Sequence, residues 1–142
     1  MNKFIIAAIF AFLFSTTQSF SQTIDLSTDS IEIALCKKWE INYAMLGNMK
    51  IGRMPGAAES NYEFNKDKTF TLTGKDPKDK SKGTWAYDKK SKTIKLTLNG
   101  RSNTNIISLK EGELIMLTDT KEATPNDPME IKVVFKIKAG ET

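Results

Sequence analysis

From Lys38 to Lys138 the chain repeats one pattern: a short run with apolar side chains at every second position, then a polar turn. A period of two suits a half-buried strand and cannot place one apolar face on a helix, whose period is 3.6. Trp39, Ile41, Tyr43 and Met45 alternate with Lys38, Glu40 and Asn42, and Ile131, Val133, Phe135 and Ile137 alternate with lysines. Eight strands are expected, at 38–47, 61–65, 69–73, 82–87, 93–98, 102–109, 113–118 and 130–138. Asn99-Gly100 is a strong two-residue hairpin signal, and Lys110-Glu111-Gly112 is a second turn. Loops fall at 48–60, 74–81 and 119–128. Short turns join neighbours, so the simplest topology is an all-β, antiparallel up-and-down meander. Eight such strands can close into a barrel, which removes exposed edges; a two-sheet sandwich is the rival. Ahead of them, 29–37 has the makings of a short N-terminal helix, with Asp29 as its cap and Glu32 three residues later.

The first 21 residues have a different design. Met1-Asn2-Lys3 is a positively charged start, Phe4 to Phe14 is unbroken apolar sequence, and Ser19 and Ser21 set small residues before a cut ahead of Gln22. This is the layout of a cleavable signal peptide. The apolar run is shorter than the roughly 20 residues that span a bilayer. The expected division is a signal peptide over 1–21 and one domain over 22–142, exported to the periplasm or secreted, with no transmembrane segment after cleavage.

Composition narrows the chemistry. There is no histidine, which removes Ser–His and Cys–His catalysis and His-ligated zinc sites. One cysteine, Cys36, cannot form an internal disulfide, so the core must hold the domain together. Glu111 and Glu113 flank a turn and look solvated, a poor setting for acid–base work. Asp76-Pro77-Lys78-Asp79 lacks the dense oxygen ligands of a calcium loop. No enzyme, cofactor or metal is expected. Removing Lys3 from the 21 basic residues leaves 20 against 17 acidic, a net charge of +3. Ten lysines lie between Lys66 and Lys95, in turns or at alternating strand positions, where they read as a solvated surface. With export and no aromatic–basic platform, nucleic acid is not an expected partner.

Several runs, taken in order, carry a resemblance. They are Leu35-Cys36-Lys37-Lys38-Trp39, the hairpin from Tyr62 to Leu72 (YEFNKDKTFTL), Gly83-Thr84-Trp85, Ile94-Lys95-Leu96, and the hairpin from Ile107 to Leu117 (ISLKEGELIML). Together they resemble the bacterial lipocalin-like domains common in secreted proteins of Bacteroidetes, across about residues 35 to 137. Those domains open on L-x-G-x-W, followed by an F-x-x-D-G-T-F hairpin and a G-T-W strand. Two glycines of that pattern are absent, with Lys37 and Lys68 in their places. The resemblance implies an eight-stranded, lipocalin-like barrel with a short N-terminal helix. It implies a fold more than a function.

Function then rests on what the barrel encloses. A small eight-stranded barrel is either filled by its own side chains or holds one small ligand. For a ligand, the candidate lining is Trp39, Tyr43, Phe64, Phe70 and Trp85, with Met49 and Met54 at the mouth. The stretch 44–58 is apolar for a loop. It suits a lid, a docking patch for an envelope protein, or a continued first strand. The leading expectation is a binding module for a small apolar or amphipathic molecule. The alternative is an interaction or inhibitor module with a solid core. Ser108 and Thr118 add polar groups near the interior, on strands whose inward face the pattern leaves open.

Overall fold

The computed structural model describes residues 23–51, 60–119 and 130–140. One helix, α1 (Thr28–Leu35), precedes nine strands: β1 (Lys38–Leu46), β2 (Met49–Ile51), β3 (Asn61–Phe64), β4 (Thr69–Thr73), β5 (Lys80–Asp88), β6 (Thr93–Leu98), β7 (Arg101–Lys110), β8 (Glu113–Asp119) and β9 (Glu130–Ile137). Every pairing is antiparallel and nearly every strand lies beside its sequence neighbour; β9 returns to pair with β1 from Trp39 to Leu46. That pairing closes the meander into the expected eight-stranded, up-and-down lipocalin-like barrel, with β2 as a short addition outside the count of eight.

The addition corrects one expectation. The segment expected as loop from 48 begins as a strand, which turns at Gly47-Asn48 and pairs Met49 with Leu46 and Ile51 with Ala44. β1 thus has β3 beside its first half, at Lys38–Glu40, and β2 beside its second, at Ala44–Leu46. Met54 and the rest of that apolar stretch, 52–59, lie outside the described residues.

α1 differs from its expected form in its cap. Ser27, not Asp29, is the N-cap, and its side chain accepts a hydrogen bond from the backbone N–H of Ser30. Asp29 sits in the first turn, where a carboxylate suits the helix dipole. Glu32 turns away from the cap to meet Lys68 at 2.8 Å. Ile31 and Leu35, four residues apart, share one face, and both are fully buried in the barrel core. The helix therefore covers the end of the barrel where β1 begins and β7 finishes.

Registers set the inward rows. Trp39 pairs with Tyr62, Tyr62 with Leu72, Phe64 with Phe70, and Trp85 with Leu96, all on the inner face. Gly83 stands opposite Phe70, whose ring occupies the space a side chain at Gly83 would need. Three bulges break the simple alternation: one in β1 at Asn42, one in β7 at Ile107, and one in β7 between Arg101 and Thr104, opposite Thr97 of β6. Each inserts a residue and reverses the faces beyond it. Past Asn42 the inward residue is Ala44, and Tyr43 faces out with the Lys50 ammonium 4.2 Å from its ring centroid. The single expected phase for Trp39, Ile41, Tyr43 and Met45 therefore holds only as far as Ile41. Past Ile107, Ser108 pairs with Ile115 on the outer face.

Candidate functional site: the open end of the barrel

The two ends of the barrel are finished differently. At the helix end, three polar tips of buried aromatics find backbone carbonyls. Trp39 Nε1 donates to Leu35 O at 2.9 Å, Trp85 Nε1 to Asn65 O at 3.0 Å, and Tyr87 Oη to Ile24 O at 2.6 Å. Each indole or phenol buries its body without stranding a donor. Tyr62 links this region to the opposite wall, stacking on Phe64 at 5.8 Å and meeting Phe135 edge-on at 5.4 Å. Burial pushes the Tyr62 phenol pKa up. Trp39 is 0% exposed and Phe70 1%, and a side chain with essentially no accessible surface touches no void that could admit water. This half of the interior is filled.

Moving away from α1, the inward rows across β1, β9, β8 and β7 open stepwise. The row Ile41–Phe135–Leu114–Leu109 is deep in the core, and Ala44–Val133–Met116–Ile106 follows it, mostly buried. The last row, Leu46–Ile131–Thr118–Thr104, is half-buried throughout. Leu72 and Leu98, on the opposite wall, are also half-buried and pack on the core from above. The rim thus combines leucine and isoleucine surface with two facing hydroxyls, Thr104 Oγ1 and Thr118 Oγ1, 3.4 Å apart. It can offer apolar contact and neutral hydrogen bonding. It offers no charged inward side chain among these residues.

The residues expected as ligand lining fall in three places. Trp39, Phe64, Phe70 and Trp85 come together in the core, all 0–2% exposed, as the floor beneath the open end. Tyr43 is on the outer face, for the bulge reason given above. Met49 is 68% exposed on β2, beside the rim, and Met54 is outside the described residues. The alternating pattern missed Leu46, Thr104 and Ile131 as rim residues. Thr118 was placed near the interior but its face was left open; the pairing with Ile131 decides it. Once a bulge is allowed for at Asn42, the alternation of β1 itself would have supplied Leu46.

Among the described residues, no group of three or more His, Cys, Asp or Glu side chains could hold a metal ion, and no helix is long and apolar enough to cross a membrane. Cys36 is half-buried at the end of α1, and its thiol pKa is raised by burial and then by the Glu32 carboxylate. A thiol so placed is a weak nucleophile.

Comparison with known proteins agrees with this architecture. The sequence model of the lipocalin-like domain family DUF4923 matches residues 30–122. The crystal structure of a DUF4847 family protein from Bacteroides vulgatus ATCC 8482 is similar with a TM-score of 0.53 at 13% identity, over 75% of this chain and 96% of that one. At that identity the likeness is one of fold alone. No curated protein matches the chain.

Proposed function

Because the chain belongs to the lipocalin-like domain family DUF4923, we propose that it is an exported, non-enzymatic binding module that takes one small apolar or amphipathic molecule at the open end of its barrel. The observation that carries this reading is the gradient along the inward rows: full burial beneath α1, half-burial at Leu46, Ile131, Thr118 and Thr104. Half-buried leucine and isoleucine facing into a barrel gain by covering their remaining apolar surface, at roughly 25 cal/mol per Å². A small molecule resting on the aromatic floor, with its polar end toward the threonine hydroxyls, would do so. The site takes no cofactor in this reading, and the rim residues among those described are read as binding groups, not catalytic ones. Export rests on the N-terminal pattern of 1–21.

The test uses an apolar fluorescent probe and one substitution. Thr118→Trp places a large ring in the mouth without touching the floor, and it should abolish probe uptake while the circular dichroism spectrum stays β-rich. Wild-type protein that takes up no apolar probe would end the reading.

A specific observation favours a second reading, an interaction or inhibitor module of the cell envelope. The filled helix-end core, with Trp39, Phe70, Ile31 and Leu35 all at 0–1% exposure, suits a solid barrel that presents its loops to a protein. Native mass spectrometry of protein taken from its own compartment separates the two. A co-purified small mass supports the first, and a co-purified polypeptide the second.

A further inference from the structure

We infer that the groove between α1 and the β7–β8 hairpin is a second ligand site, for the anionic head and first part of the chain of a dissolved aliphatic carboxylate. It lies at the closed end of the barrel, away from the mouth, and stands independently of the mouth reading.

α1 has two apolar faces. Ile31 and Leu35 use the first one to plug the barrel. The second carries Ile33 and Ala34, and no strand covers it completely: Ile33 is 70% exposed. A single exposed isoleucine needs no explanation. Here it shares a concavity of about 490 Å³ with Leu26, itself 38% exposed, with Ala34, and with Leu109 as floor. That volume lies within the range of small-ligand sites, about 300–1,000 Å³.

Charge selects the class of ligand. Lys37 and Lys110 both line the groove, with Glu111 as the one acid. Among the described residues Lys68, Lys92, Lys95 and Lys136 each meet a carboxylate, whereas Lys37 and Lys110 have none. Two unpaired ammonium groups beside an apolar wall complement a single carboxylate joined to an alkyl chain. They disfavour a cationic head and give a neutral head no ionic contact. The barrel mouth, with its threonine hydroxyls, has no such preference, so head-group selectivity separates the two sites.

The experiment is calorimetric titration of the purified protein with dodecanoate, dodecyl maltoside and dodecyltrimethylammonium, each below its micelle concentration. Dodecanoate should bind most tightly and the cationic amphiphile least. Ile33→Asp, at an exposed position that should leave the fold intact, should abolish the preference for dodecanoate over the maltoside. The double variant Lys37→Gln, Lys110→Gln should weaken dodecanoate about tenfold and bring it level with the maltoside. Thr118→Trp should leave the preference for dodecanoate over the maltoside unchanged, even though the mouth then takes up no probe. The inference is overturned by equal affinity for the three head groups, or by a preference for dodecanoate that survives Ile33→Asp. It is also overturned by protein that sediments with anionic vesicles but ignores dissolved dodecanoate. A preference for dodecanoate lost in Thr118→Trp and kept in Ile33→Asp would assign the amphiphile to the mouth, and would overturn the groove while sustaining the first site.

Discussion

Lys68 Nζ lies 2.8 Å from Glu32 Oε1, so the turn between β3 and β4 is tied to the helix that closes the barrel. The same ammonium sits 4.1 Å from the centroid of the Trp85 ring. Its backbone has φ = +68°, a conformation that favours glycine and that the F-x-x-D-G-T-F pattern fills with glycine. The chain thus accepts a strained residue at this position and obtains from its side chain two contacts that glycine cannot make. Asp67 helps to hold the turn by accepting from the backbone N–H and the hydroxyl of Thr69.

A pair of substitutions separates strain from contact. Lys68→Ala loses both side-chain contacts and keeps the left-handed backbone. Lys68→Gly loses the same contacts and relieves a strain of about 1–2 kcal/mol. In urea unfolding the glycine variant should therefore be the more stable of the two by about 1 kcal/mol. If alanine proves equal or better, the positive φ at this turn is not a real cost.

Acid should weaken the fold through a few surface carboxylates. The Lys68 hydrogen bond and charge hold the Glu32 pKa below its ordinary value; bonds from Thr69 do the same for Asp67, and those from Lys90 and Ser91 for Asp88. A carboxylate with a depressed folded pKa contributes stability above its unfolded value, and loses it as pH falls through the folded one. With no histidine to titrate, the melting temperature should be nearly flat between about pH 5 and 8 and should fall below about pH 4. Glu32→Gln should make the acid limb shallower. A midpoint of destabilisation near pH 6 would contradict this account.

Gly83 should not tolerate even a methyl group. A Cβ there would meet the Phe70 ring and lie 2.5 Å from the Thr97 carbonyl oxygen, a backbone atom that cannot swing aside. Gly83→Ala is expected to cost about 1–3 kcal/mol, as overpacking does. Adding Phe70→Leu to the alanine variant should recover part of that loss, measured as non-additivity in a double-mutant cycle.

Trp39 joins burial with a hydrogen bond. It is 0% exposed, and its indole N–H donates to the Leu35 carbonyl at 2.9 Å. Trp39→Ala should cost about 3–5 kcal/mol. Trp39→Phe keeps much of the apolar bulk but loses that hydrogen bond, leaving the Leu35 carbonyl with the Lys37 N–H as partner, and should cost about 0.5–1.5 kcal/mol. No loss in Trp39→Phe would mean the hydrogen bond contributes nothing measurable, and equal losses for the two would mean the same of the bulk that Phe retains.

Export makes a separate prediction. Intact mass of the protein from its own compartment should correspond to a chain beginning at Gln22, as itself or cyclised. A retained Met1 there would refute the signal-peptide reading.

The sequence by itself determined the strands, their order and their class. Alternation is local, and so are the turns: Asn99 and Gly100 both take positive φ, as a two-residue hairpin requires. Eight strands joined by short turns leave few topologies beyond a meander, and the order of motifs from Leu35 to Leu117 indicated which one. What only the tertiary structure decided is where the alternation is interrupted and what lies across the chain. The bulges at Asn42 and Ile107 lie where β1 pairs with β9 and β7 with β8, and no residue type at those positions announces them. They turn Tyr43 and Ser108, the latter buried, to the outer face of the sheet, and leave Leu46, Ile131, Thr118 and Thr104 as the rim. The closure of β9 on β1, the role of Glu32 as partner of Lys68 and the groove joining Ile33 to Leu109 each bring together residues more than thirty positions apart. Sequence periodicity reports which face a side chain prefers. Only packing in three dimensions decides which surface that face meets.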